Sequence, residues 1–396
     1  MSRLLARLPR GPRGVAILGI GVGMLAFWVA LPPASIRTPL WPTLIGLVGV
    51  ALGVYATWKG VKKVGIGAII TGIAGIGLGI LATRSSIGHL ESVVVWSALF
   101  AAMLRFATPL IFAAIGGMFS ERSGVVNVGL EGMMLMGAFF GIWGADVTGS
   151  WALGLGIALL AGGLLALIHA YFAIHLRADQ IISGMAVNFL ALGITGYLFI
   201  DIYGSDGTPS EISSIPNVHI SWIEGWYFVG PLFSQLNLMI WLSLALVVVA
   251  WAVLFKTPVG LRIRAVGEHP RAADTVGINV YATRYAAVVV SGMLAAAGGA
   301  YLSIGFVNSF NQNMTAGRGF IALAAVIFGN WRPYGAAGAA MLFGFSSAIA
   351  TRLPTYSGSA ATLFQALPYV LTLIAVAGVI GRSIPPASVG RPYKKQ

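Results

Sequence analysis

The residues best suited to chemistry in this chain lie inside a stretch apolar enough for lipid. In ERSGVVNVGLEGMMLMGAFFG, residues 121–141, Asn127 and Glu131 stand four apart among apolar and small side chains. Read as one helix, Ser120, Ser123, Asn127, Glu131 and Met134 share a stripe, because positions i, i+4 and i+7 fall on one face. An ionisable group within a membrane span costs roughly 2.5–3.5 kcal/mol on insertion scales and usually faces a cavity or a partner. Gly124, Gly129 and Gly132 interrupt the run, which suits a broken or closely packed helix. Two uses of Glu131 stay open: lining a pathway, or reaching water at an interface. Arg105, in LRFATPLIFAAIGG, is the candidate partner for its charge; interfacial snorkelling is the alternative. Asn188, sharing a face with Gly184 and Thr195, suits hydroxyls or the edge of a heterocycle, and equally suits interhelix hydrogen bonding. Asn127, Glu131, Asn188 and Arg105 are thus the candidate translocation-pathway residues. Asn308, Asn311, Gln312 and Asn313 precede a short apolar run at 319–331, as an external loop or as the lead-in to a half-helix.

These side chains must be positioned by membrane helices. The chain of 396 residues is 58% hydrophobic and 9% charged, far below the quarter charged that is usual for soluble domains. Apolar runs of spanning length fall at 14–31, 40–58, 64–82, 91–118, 124–146, 151–176, 181–202, 238–255, 284–306, 333–350 and 364–381, with 319–331 as a half-helix or a twelfth crossing. The expected fold is all-α and polytopic, with about 11–12 transmembrane helices. The +13 charge sorts by side. Arg3, Arg7, Arg10, Arg13, Lys59, Lys62, Lys63, Arg122, Arg177, the cluster in 256–284, Arg332 and the basic tail share one face, whereas loop 203–237 carries acids and no Lys or Arg. This is a positive-inside pattern. It places both termini in the cytoplasm, makes the lipid bilayer the environment and removes the case for nucleic acid. A signal peptide is disfavoured because no A-x-A site follows the first span.

Other chemistries are poorly served. With no cysteine there is no thiol nucleophile or Cys-ligated metal site, and the five histidines show no metal-like pairing. No catalytic constellation is expected. No G-x-x-x-x-G-K-[ST] occurs, so any ATP and its magnesium are expected on another subunit. Gly137 and Gly141 are read as helix-packing glycines. Residues 1–88 form a Gly-rich block with almost no polar residue inside its three spans; 89–382 is the core; 383–396 is a cytoplasmic tail. Within the loop 256–284, HPRAADTVG suits a short helix, with Pro270 in its first turn and Gly277 as its C-terminal cap.

The stretch RAVGEHPRAADTVGINV resembles the coupling-helix segment of ABC importer permeases of the branched-chain amino acid, ribose and nucleoside superfamily. ATPLIFAAIGGMFSERSGVVNVGLEGMMLMGAFFG, FGNWRPYGAAGAAMLFG and LPYVLTLIAVAG resemble its nucleoside permeases more narrowly. The narrower likeness rests on Asn127, Gly129, Glu131 and Gly132, where ribose permeases carry a GGIDLSVG-like stretch and branched-chain amino acid permeases an INLAHG-like one. The resemblance covers about 91–382; shorter members begin near Glu91, so 1–88 stands as an added block. It implies a type II importer core with broken helices that carries nucleosides, with sugars or branched-chain amino acids as the alternative. A proton-coupled carrier using Glu131 is a further alternative. It also implies a sister permease in a heterodimer, a cytoplasmic ABC ATPase docked at Glu268, Pro270, Arg271, Ala273 and Gly277, and an extracytoplasmic lipoprotein that delivers substrate.

Overall fold

The computed structural model describes residues 11–29, 38–84, 96–209, 211–226, 229–352 and 384–395; the span expected at 364–381 lies outside them. The chain divides into two compact units, 1–99 with 351–382, and 100–350 with 383–396. In the first, α1 (Pro12–Trp28), α2 (Leu40–Trp58) and α3 (Lys62–Arg84) pack against one another. Their glycines are the contact surface. Gly23 meets the Thr71–Gly72 backbone, and Gly49 meets Gly23, leaving no room for a Cβ at Gly23. This is close approach through small residues, as membrane helices favour.

The second unit holds all but the first turn of α4 (Trp96–Arg122), with α5 (Leu130–Thr148), α6 (Trp151–Ala170, continued by a π-helical turn Tyr171–His175) and α7 (Gln180–Tyr203). A small two-stranded sheet, β1 (Asn217–His219) with β2 (Gln235–Asn237), lies in the following loop beside the short α8 (Val229–Phe233). Then come α9 (Leu238–Lys256), α10 (Pro258–Glu268), α11 (Pro270–Thr275), α12 (Val280–Ala300, continued by a π segment Tyr301–Val307), α13 (Arg318–Phe328) and α14 (Pro333–Arg352). Nine of the described helices are long and apolar enough to cross a membrane, so this is an all-α multi-pass membrane protein.

Helices α5 and α12 are the most enclosed and α7 the least. The centre is again small-residue packing: Gly137 lies on Ala296, Gly141 on Ala300, Gly162 on Gly292 and Gly299 on the Met134 carbonyl. Helix α4 runs through Pro109 without ending. At 11 residues, α13 rises about 16 Å, half of a hydrocarbon core of about 30 Å. It is a half-helix and does not span alone.

Candidate functional site

The stripe expected from Ser120 to Met134 is corrected by the structure, because 121–141 is not one helix. Helix α4 closes in a Schellman motif: Val125 N donates to Ser120 O at 3.2 Å and Gly124 N to Glu121 O at 3.0 Å. Gly124 takes the left-handed conformation, φ +93, that this cap needs at its C′ position. Non-helical backbone continues to Gly129, and α5 starts at Leu130. Asn127 therefore sits in the break, and Glu131 in the first turn of the next helix.

Backbone polar groups inside a membrane protein must find partners within the protein, and the break finds them in polar side chains from three neighbours. Gln180 Oε1 accepts from Val126 N at 2.7 Å. His169 Nε2 donates to Val126 O at 3.0 Å, and in that tautomer its Nδ1 accepts from the Ser183 hydroxyl at 3.0 Å. Asn188 Nδ2 donates to Val128 O at 3.0 Å, while its Oδ1 accepts from Gly132 N at 2.8 Å. Asn127 Oδ1 accepts from Gly129 N, and its Nδ2 donates to Ser291 Oγ on α12 at 2.9 Å. His169 and Asn127 are fully enclosed. His169, Gln180, Ser183 and Ser291 were not selected from sequence, since a lone His, Gln or Ser on an apolar helix gives no sign of which carbonyl it will meet.

Glu131 has a partner other than Arg105. Its Oε1 accepts from Gly317 N at 2.7 Å and its Oε2 from Gly319 N at 2.6 Å. Its carboxyl group thus caps the N-terminus of α13, where the exposed amides and the helix dipole favour a negative charge. Among the described residues Arg105 forms no ion pair; it is exposed on α4, within electrostatic reach of the Tyr301 hydroxyl. Near it, Phe106 and Phe306 make an edge contact at 5.7 Å, and Tyr301 stacks on Phe306 at 6.0 Å. The connector ahead of α13 holds Asn308, Asn313 and Ala316 at positive φ, with Asn308, Asn311, Gln312 and Asn313 exposed.

The far end of α13 is fastened to the start of the break. Asn330 and Trp331 take left-handed conformations, φ +53 and +52. The Trp331 carbonyl accepts from Arg122 Nε at 2.9 Å and Nη2 at 2.8 Å, and its indole N–H donates to the Glu121 carboxyl group. One half-helix is thus gripped at both ends by the residues flanking the break: Glu121 and Arg122 on one side, Glu131 on the other.

The polar segment after α9 folds as its punctuation implies. Pro270 occupies the first turn of α11, and Gly277 is its left-handed C′ residue, φ +84, with Gly277 N donating to Asp274 O and Ile278 N to Ala273 O. Arg271 is exposed. Ala273 is buried, packed with Val266, Val280 and Tyr393, so it lies under α11 and not on its outer face. Glu268 accepts from Ala387 N at 3.1 Å.

The chain matches the family described as "Branched-chain amino acid transport system / permease component" over residues 99–376. It is 44% identical over 320 residues to the guanosine ABC transporter permease protein NupQ of Bacillus subtilis, covering 77% of this chain and 99% of that one. It is 40% identical over 303 residues to the nucleoside ABC transporter permease protein NupC of Lactococcus lactis, covering 74% and 95%. The putative glucose ABC transporter permease protein TsgC13 of Haloferax volcanii is 39% identical over 261 residues, covering 65% and 78%. The first two organisms each contribute a second matching permease, NupP at 27% and NupB at 25% identity. No solved structure matches the chain. With the family matched over most of the chain, and with relatives matched along nearly their whole length, this protein belongs to the permease components of ABC transport systems described for branched-chain amino acids.

Proposed function

We propose that this chain is the translocating subunit of an ATP-driven importer of nucleosides, purine nucleosides foremost. The observation that carries this is the 44% identity, along 99% of its length, to a permease named for guanosine. ATP and its magnesium belong to a separate cytoplasmic ATPase, which docks at α11 and its flanks through Arg271 and the Pro270–Gly277 fold. The two-permease sets among the relatives favour a sister permease in a heterodimer, and a lipoprotein binding protein delivers substrate to the acidic loop 203–237. Both termini then lie in the cytoplasm.

The substrate route follows the face that carries Arg105, Phe106 and Phe306. A charge exposed on an apolar helix is costly against lipid and marks a wet or partnered surface. Aromatic rings there offer stacking to a heterocycle, and the guanidinium donates hydrogen bonds to a base carbonyl or a ribose hydroxyl. Asn127, Glu131 and Asn188 shape this route by holding the broken backbones beside it.

Uptake tests this directly. Cells carrying the complete importer should accumulate tritiated guanosine, unlabelled adenosine should compete, and uptake should stop when the ATPase is inactivated. Competition by glucose and not by nucleosides would instead select the sugar substrate of the Haloferax relative. Uptake that survives ATPase loss but collapses with an uncoupler would point to a proton-driven carrier. For topology, exposed Ser214 changed to Cys in this cysteine-free chain should react with an impermeant maleimide from outside intact cells. Labelling only after permeabilisation would reverse the orientation.

A further inference from the structure

Residues 384–395 turn back onto the docking segment and lie across it. Ser388 donates through both its N–H and its hydroxyl to Gly267 O, at 2.9 and 2.6 Å. Ala387 N donates to Glu268 at 3.1 Å. Further on, the Tyr393 hydroxyl donates to Asp274 Oδ2 at 2.8 Å. Its ring, 6% exposed, closes a small cluster with Val266, Ala273 and Val280. Helix α11 has six residues, too few to be stable alone, so its orientation is set by what it rests on, and that includes Tyr393.

The same strap is tied to the membrane break. Arg284, 1% exposed at the start of α12, donates from Nη1 to Arg391 O and from Nε to Ser123 O, both at 3.2 Å. Its Nη2 is buried with no partner among the described residues. Gly267, held by Ser388, rests so closely on the Arg122 carbonyl that a Cβ there would overlap it. A Cβ at Gly124 would meet both Ser388 Oγ at 2.7 Å and Arg284 Nη2 at 2.8 Å. The strap, the end of α10 and the start of the break thus meet at one junction with no spare volume.

We propose that the C-terminal strap 384–395 transmits movement of the ATPase-docking helix α11 to the broken segment 123–129, with Tyr393 and Arg284 as positioning residues at its two ends. This rests on the ATPase docking at α11. A shift of α11 carries Asp274 and with it Tyr393. The displaced strap draws the Arg391 carbonyl from Arg284, and Arg284 is the side chain that holds the Ser123 carbonyl at the mouth of the break. Coupling of this kind needs an element with two arrangements that both sites bias; here they are the strap engaged and the strap released.

The test uses the full-length permease assembled with its partner permease and ATPase in lipid vesicles. It reads ATPase co-purification, ATP hydrolysis and import of tritiated guanosine. Tyr393→Ala should keep the ATPase bound and hydrolysing while import per ATP falls more than tenfold, because it removes the ring from the cluster as well as the bond to Asp274, and loss of one hydrogen bond to a charged group alone corresponds to about tenfold. Tyr393→Phe and Asp274→Ala should each give a smaller fall, about tenfold, and the double variant should be no worse than either alone, since both remove the same bond. Unchanged import per ATP in Tyr393→Ala overturns the proposal, and so does loss of ATPase binding, which would make the strap a docking part only. Should Tyr393→Ala not fold, Tyr393→Phe decides by the same ratio, because its ring still fills the cluster. Arg271→Glu on the outer face of α11 is the control for docking. If it leaves ATPase binding intact while the strap variants still uncouple, docking at α11 is wrong and the strap transmits from another contact.

Discussion

Replacing Glu131 with Gln isolates the grip on the half-helix. The carboxyl group accepts two backbone N–H groups, from Gly317 and Gly319, at 2.7 and 2.6 Å. A glutamine amide offers one acceptor oxygen and presents N–H to the other donor, so one buried N–H loses its partner. Loss of one hydrogen bond to a charged group costs about 1.5–3 kcal/mol. Loss of a negative charge at a partly buried helix N-terminus adds about 0.5–2 kcal/mol. The sum, about 2–5 kcal/mol, corresponds to a fall in melting temperature of at least about 4 °C for a unit of this size. Differential scanning fluorimetry in detergent, with guanosine uptake in parallel, measures both consequences. Arg105→Gln should not rescue the variant, because Arg105 is not the partner of Glu131. A Glu131→Gln protein melting within 1 °C of the parent would refute the cap. If uptake were also abolished, Glu131 would be a substrate ligand instead.

Three further outcomes are expected. Asn188→Leu strips partners from Gly132 N–H and Val128 C=O and should destabilise by about 2–6 kcal/mol, at about 1–3 kcal/mol for each buried group left unsatisfied; thermal melting checks it, and an unchanged profile would mean water replaces the amide. Gly267→Ala places a methyl group on the Arg122 carbonyl, so expression or ATP-coupled uptake should fall sharply, while Gly156→Ala, with open space around it, serves as the neutral control. Phe306→Leu should raise the half-saturating guanosine concentration roughly tenfold, in keeping with about 1–3 kcal/mol for base-on-ring stacking, and an unchanged value would remove Phe306 from the route.

Element existence was legible because length and hydropathy decide it: the runs at 40–58, 151–176 and 238–255 became α2, α6 with its π turn, and α9. The run at 319–331 was legible as a half-helix or a twelfth crossing, and its 11 helical residues decide for the half-helix. The cap residues Pro270 and Gly277 announced α11 through backbone preferences that act locally. The stripe through Asn127 and Glu131 failed because a 3.6-residue period fits any four-residue spacing, and only the cap at Gly124 shows that the helix has already stopped. Arg105 was favoured as a partner because sequence displays charges and hides amides. The true donors are backbone groups 186 and 188 residues away, which no side-chain pattern encodes. The strap was hidden for the same reason: RPYKK reads as a basic tail until Tyr393 is found under α11.

The brevity of α13 has a consequence for water. A column of about 16 Å leaves the other half of the bilayer depth to the connector 308–317, whose Asn308, Asn311, Gln312 and Asn313 face outward. Amide side chains and non-helical peptide groups at membrane depth are tolerated only where they are buried in protein or reached by water, and these four side chains are exposed. Water reaching the connector would satisfy them, as an indentation in the hydrophobic slab wet down to the level of Gly317 and closed below by the Glu131 cap. A permeant molecule arriving there would have about half of the membrane behind it, and the insulating layer still to be crossed would be about as thick as one half-helix is long.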